Sequence, residues 1–128
     1  FGRKRGVNVQ ILSNLDSVEM SILMKRSTAV VGLAHGEAFG LTPIESMALG
    51  VPPIFVNEGG YRDTILDGVN GRLVTRGKID DWSQAFMEAR DSNTRASWAE
   101  SGLSRIEELG LSSENYASQL DERIRSLI

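Results

Sequence analysis

Residues 7–12 alternate apolar with polar and then turn wholly apolar, the period-two pattern of a short strand. Ser13-Asn14 is a turn signal. Asp16 follows as a helix N-cap with Glu19 three residues later, opening a helix that runs to about Arg26 with Val18, Ile22 and Leu23 on one face. The unbroken apolar run at 28–34 suits a strand covered on both faces, as in a parallel sheet. A helix over about 43–49 is stopped by Gly50 and by Pro52-Pro53, and Pro53–Val56 reads as another short buried strand. Glu58-Gly59-Gly60 turns the chain into a brief helix at 62–66. The turn cluster at 67–71 then precedes a strand, Arg72–Val74. Three packing helices complete the pattern. Asp80 or Asp81 caps the first, with Trp82, Ala85, Phe86 and Ala89 on one side. The second runs from about Thr94 with Trp98, Ile106 and Leu109 as core positions, and the third from Ser113 with Tyr116, Leu120, Ile124 and Leu127 along one stripe. This order predicts a layered α/β domain with a mainly parallel sheet and a helical C-terminal third. The whole of 1–128 is expected to be one domain, an α/β part over 1–76 and packing helices over 77–128. Ligands in such folds bind beyond the C-terminal ends of the strands.

Composition narrows the classes. Hydrophobic residues are 41% and charged residues 24% of the 128, ordinary for a soluble globular protein. A formal net charge of -3 argues against a nucleic-acid partner, and the basic run Arg3-Lys4-Arg5 reads as a solvated approach to the first strand. There is no cysteine, hence no thiolate chemistry, and a cytoplasmic setting is the expectation. No apolar stretch approaches the roughly 20 residues of a transmembrane segment. The chain opens on Phe1, which suggests a processed product, an isolated domain or a fragment.

Residues 36–50 carry the candidate chemistry. Thr42 reads as a helix N-cap, Pro43 as the first helical position and Glu45 as the third, a capping box with the favoured proline. Gly36 and Gly40 allow a positive φ or a close approach of backbone to a ligand. Free amides at a helix start, helped by the helix dipole, make an anion seat without any lysine. The plainer reading is a cap worth roughly 0.5–2 kcal/mol and no ligand at all. Two features favour the ligand: Glu37 sits where a strand end and a helix start converge, and the turn Glu58-Gly59-Gly60 should lie beside it at the same sheet edge. His35, the single histidine, is a poor basis for a metal site; it reads as a pocket-rim residue or, since histidine titrates near neutrality, a general base.

Two glutamates separated by seven residues, Glu37-A-F-G-L-T-P-I-Glu45, followed by S-M-A-L-G-V-P, resemble the signature of the retaining GT-B glycosyltransferases of group 1. That family includes sucrose synthases and bacterial mannosyltransferases. The later E-G-G-Y-R-D-T-I-L-D-G-V-N-G-R-L-V is similar to the family's next element, and the likeness runs from about Val7 to Val74. It implies part of the Rossmann-like C-terminal domain, which binds a nucleotide sugar as donor substrate, without a cofactor and usually without a metal. By the same resemblance Glu37 would be the catalytic residue, contacting the transferred sugar or its anomeric centre. Amides of Phe39, Gly40, Leu41 and Thr42 would contact sugar hydroxyls and diphosphate. Glu45 would accept from the ribose hydroxyls, Ser13, Asn14 and Leu15 would lie beside the base, and Gly59 and Gly60 would line the donor pocket.

Two departures from the family's pattern are visible: Ala38 stands for a common glycine and Asp63 for a usual glutamate. The family's Arg and Lys diphosphate clamp has no counterpart here, nor has the N-terminal acceptor-binding domain. The chain alone is therefore expected to be inactive in transfer, and membrane association, if any, would come from the absent part. A first strand without its intervening neighbours leaves a bare edge, which predicts a homodimer or association. Two rival classes use the same residues: a non-catalytic nucleotide-sugar-binding or scaffold module, and a glycoside hydrolase working through paired carboxylates. A Glu45 tied into a capping box would serve the hydrolase poorly.

Overall fold

The computed structural model describes residues 5–111. Along the chain lie α1 (Ser17–Lys25), β1 (Val30–Gly32), α2 (Leu41–Ala48), β2 (Pro53–Val56), α3 (Tyr61–Thr64), β3 (Arg72–Val74), α4 (Ile79–Arg90) and α5 (Ser92–Leu109). The strands form one parallel sheet in the order β1-β2-β3, with Val30 beside Pro53 and Phe55 beside Leu73. The fold is thus the expected α/β, Rossmann-like kind. The helix expected from Ser113 lies outside the described residues. No helix among those described is long and apolar enough to cross a membrane.

β2 is central and wholly buried, which explains its unbroken apolar composition. Its side chains serve two clusters. Ile54 packs with Val74, Ala85, Ala89 and Trp98, and Phe55 with Val56, Tyr61 and Ile65. α2 packs on α5, where a side chain on Gly102 would come within 2.9 Å of Met47 Cγ. The turn before β3 is stapled by its own polar residues. Buried Asn70 accepts from the Leu66 amide at 2.9 Å, and Asp67 Oδ1 accepts from the Leu73 amide at 2.9 Å and Arg72 Nε at 2.8 Å. Arg72 also donates to Glu88, joining β3 to α4.

Several expectations fail, each for a physical reason. Residues 7–12 form no strand, and Val7, Val9, Ile11 and Leu12 are exposed, Ile11 at 92%. An apolar alternation becomes a strand only beside a hydrogen-bonded neighbour, and no described strand pairs with it. The face of α1 bearing Val18, Ile22 and Leu23 is likewise exposed, and Met24 is the helix's buried residue. β1 is an edge strand with Val31 at 44% exposure, so the run at 28–34 is not covered on both faces. On α4 the N-cap is Lys78, with Asp80 and Asp81 in the first turn, and Phe86 faces outward. α5 begins at Ser92, capped by Asp91.

Candidate functional site

Because all three strands run the same way, the segments after β1, β2 and β3 emerge at one edge of the sheet. There the two glycine turns meet backbone to backbone. The Gly60 amide donates to the Glu37 carbonyl at 2.8 Å. A side chain on Gly60 would lie 2.4 Å from both the Ala38 oxygen and Phe39 Cα, and one on Gly59 would lie 2.5 Å from the Glu37 oxygen. The expected proximity of the turns is met, and Gly59 and Gly60 are required for it.

The capping box at Thr42 and Glu45 is absent. α2 begins at Leu41, and its N-cap is Gly40, in the left-handed region at φ 85°, with no side chain capping it. A left-handed glycine turns the chain into the helix two residues earlier than a Thr42 cap would. Pro43, third in the helix, costs nothing there, since first-turn amides have no partner within the helix. Thr42 is therefore the second helical residue and Glu45 the fifth. The Glu37 carboxylate instead accepts from the Gly40 amide at 3.3 Å.

Beneath Gly40 lies an aromatic support that nothing in the residue pattern revealed. Tyr61 is buried and packs edge-on against Phe55, with ring centroids 4.8 Å apart and planes at 65°. Phe55 lies over Gly32, where a Cβ would come within 2.1 Å of the ring, and a Cβ on Gly40 would meet Tyr61 Cδ1 at 2.8 Å. Burial, and behind it the Glu37 charge, push the Tyr61 phenol above its ordinary value. The charge of Glu37 is therefore felt by the buried phenol beside Gly40.

Glu45 is exposed and lines a cleft of about 290 Å³ between α1 and α2, with Ser17, Met20, Met24 and Ala48 among its walls; Glu37 is not part of it. Ser13, Asn14 and Leu15 lead into the N-cap of α1, Asn14 in the left-handed region at φ 56°. Leu15 lines a separate groove with Leu12, Ile22 and Leu23 rather than the Glu45 cleft. Phe39 is half-buried, while Leu41 and Thr42 are exposed. Asp63 carries its carbonyl to Arg105 Nη2 at 2.8 Å.

One charged group at this edge escaped the residue reading. Arg76 donates Nε to Glu58 Oε1 at 2.8 Å and Nη2 to Glu58 Oε2 and the Leu33 carbonyl, each at 3.0 Å. His35 Nδ1 lies 3.0 Å from the same Glu58 oxygen. The Arg76 hydrogen bond holds the Glu58 carboxyl below its ordinary value. Among the described residues no group of three His, Cys, Asp or Glu is placed to share a metal ion.

The family model described as glycosyl transferases group 1 matches residues 3–105. Among curated proteins, the chain is 29% identical over 80 residues to alpha-1,3/1,6-mannosyltransferase alg-2 of Neurospora crassa, covering 62% of the chain and 17% of that protein. It is 41% identical over 56 residues to the D-inositol 3-phosphate glycosyltransferase of Frankia alni, covering 44% and 14%. To the enzyme of the same name from Streptosporangium roseum it is 33% identical over 78 residues, covering 61% and 18%. The chain spans less than a fifth of the length of each of these relatives.

Proposed function

We propose, from the premise that this chain belongs to the group 1 glycosyl transferases, that it forms the donor-binding part of a retaining glycosyltransferase using a nucleotide sugar. The observation that carries this reading is the start of α2, a left-handed Gly40 with no side-chain cap, directly beside Glu37. First-turn amides left open at the C-terminal edge of a parallel sheet suit the diphosphate of the donor. Glu45, exposed on the α1–α2 cleft and free of any capping role, is available for ribose hydroxyls. The turn at Ser13, Asn14 and Leu15 is proposed for the base. Glu37, its carboxylate held by the Gly40 amide, is proposed to face the anomeric carbon as the glycosidic bond to phosphate breaks and the acceptor hydroxyl replaces it on the same face. The acceptor site and the cationic half of the phosphate grip would come from elsewhere in the whole protein.

Titration of the chain with UDP and GDP, followed by amide resonances, tests this. Shifts at Gly40, Leu41 and Thr42 that exceed those from inorganic pyrophosphate support a nucleotide site. Equal response to pyrophosphate reduces the feature to an anion seat. No response to any of them removes the reading.

A further inference from the structure

We infer that Arg76 and Glu58 are positioning residues for the Glu37 loop, a guanidinium fork that ties the ends of all three strands together. Arg76 leaves β3, Glu58 follows β2, and the Leu33 carbonyl it reaches follows β1. The segment 33–37 is thereby held at both ends: at Leu33 by Arg76, and at Glu37 by the Gly60 amide, two residues beyond Glu58. Both Glu58 oxygens and the forked side of Arg76 are occupied within the protein, so this guanidinium serves as scaffold rather than as a free anion ligand. A planar fork meets a carboxylate and a carbonyl together, which an ammonium does not reproduce. The side chains of Arg76 and Glu58 are about one-third exposed, at 36% and 33%, so their effect on global stability is small and their effect on the loop is local.

The proposed consequence, a set position for Glu37 against the donor, rests on the function proposed above, and the experiment separates the two. Amide hydrogen exchange is measured on the chain and on Arg76→Lys, Glu58→Gln and the double variant, each also titrated with UDP. The Gly60 amide should exchange about three- to fivefold faster in each single variant, as an ion pair of this exposure allows. Phe55 and Val56 amides in β2 should keep their rates, and the double variant should be no faster than the singles. UDP affinity should fall by a similar factor. Unchanged Gly60 exchange in both single variants overturns the proposal. So does uniform acceleration through β2, which would mark a merely structural pair. UDP affinity unchanged alongside a loosened Gly60 overturns the role toward the donor. If the unaltered chain does not bind UDP, the donor-site reading fails, and exchange alone decides whether the fork anchors the loop.

Discussion

Gly60→Ala probes the close approach of the two turns without straining the folded backbone. Gly60 sits at φ -66°, ψ -9°, a conformation alanine adopts freely. In such a position the substitution alone stabilises by about 0.4–1 kcal/mol through the unfolded chain. Against that, the new methyl would lie 2.4 Å from the Ala38 oxygen and from Phe39 Cα, both backbone atoms that cannot rotate away. The loop must retreat by roughly 1 Å to restore van der Waals separation. Overpacking of this kind costs about 1–3 kcal/mol, so the steric term wins. The net expectation is destabilisation of about 0.5–2 kcal/mol and a Tm lowered by about 2–8 °C. The retreat also lengthens the 2.8 Å bond from the Gly60 amide to Glu37, which amide exchange at Gly60 reports directly. Gly68→Ala is the matching control: φ is 75° with open space around the site, so it strains the backbone without moving the loop. A Gly60→Ala chain as stable as the original, with Gly60 exchange unchanged, would refute the close approach on which the site is built.

Further outcomes follow from single contacts. Asp16→Ala should cost α1 about 0.5–2 kcal/mol, read as faster exchange within that helix, because Asp16 accepts from the Val18 and Glu19 amides. Glu45→Gln should weaken UDP binding in titration while leaving the melting temperature unchanged, since Glu45 caps nothing. Glu88→Gln should destabilise by about 1–2 kcal/mol in urea unfolding, because the mostly buried Arg72 then keeps a charged partner in Asp67 alone. Asp91, whose carboxyl is held below its ordinary value by the Thr94 amide and then its hydroxyl, contributes stability that is complete above about pH 3.8. That contribution is lost as pH falls through the lower folded value, and Asp91→Asn should remove this part of the acid dependence in a pH series of melts.

The sheet was legible wherever burial and turn chemistry agreed. β2 reads directly from its apolar run between prolines and the glycine pair, and β3 from the cluster ending at Gly71. Strand pairing is the part a local pattern cannot carry, which is why residues 7–12 read as a strand and are not one. The same limit hid the exposure of α1: its apolar face is real, but the described residues place little against it. At the site, the meeting of the two glycine turns followed from parallel order alone. The start of α2 did not, because Thr42-Pro43-Ile44-Glu45 satisfies every local rule for a capping box. Gly40 prevailed through a left-handed conformation at φ 85°, at a place where a side chain would also come within 2.8 Å of the Tyr61 ring. The Arg76–Glu58 fork joins residues 18 apart in sequence, and no spacing rule points to it.

The two helices beside the cleft are stabilised in opposite ways, and the difference places the open amides at the sheet edge. α1 has a complete capping box, with Glu19 returning to the Asp16 amide at 3.0 Å, and buries Met24 alone. α2 has no side-chain cap, yet buries Pro43, Ser46 and Met47, and packs on α5 and on both neighbouring strands. Its far end is fixed by Ser46, whose hydroxyl donates to the Val51 carbonyl at 2.6 Å. Packing can hold a helix whose first turn is left open, whereas a helix with one buried residue depends on its cap. A cap on α2 would add about 0.5–2 kcal/mol but would occupy the amides that a ligand needs. Tertiary burial makes that cap dispensable, and it also leaves Glu45 unspent. The helix start best supported from below is therefore the one free to bind from above.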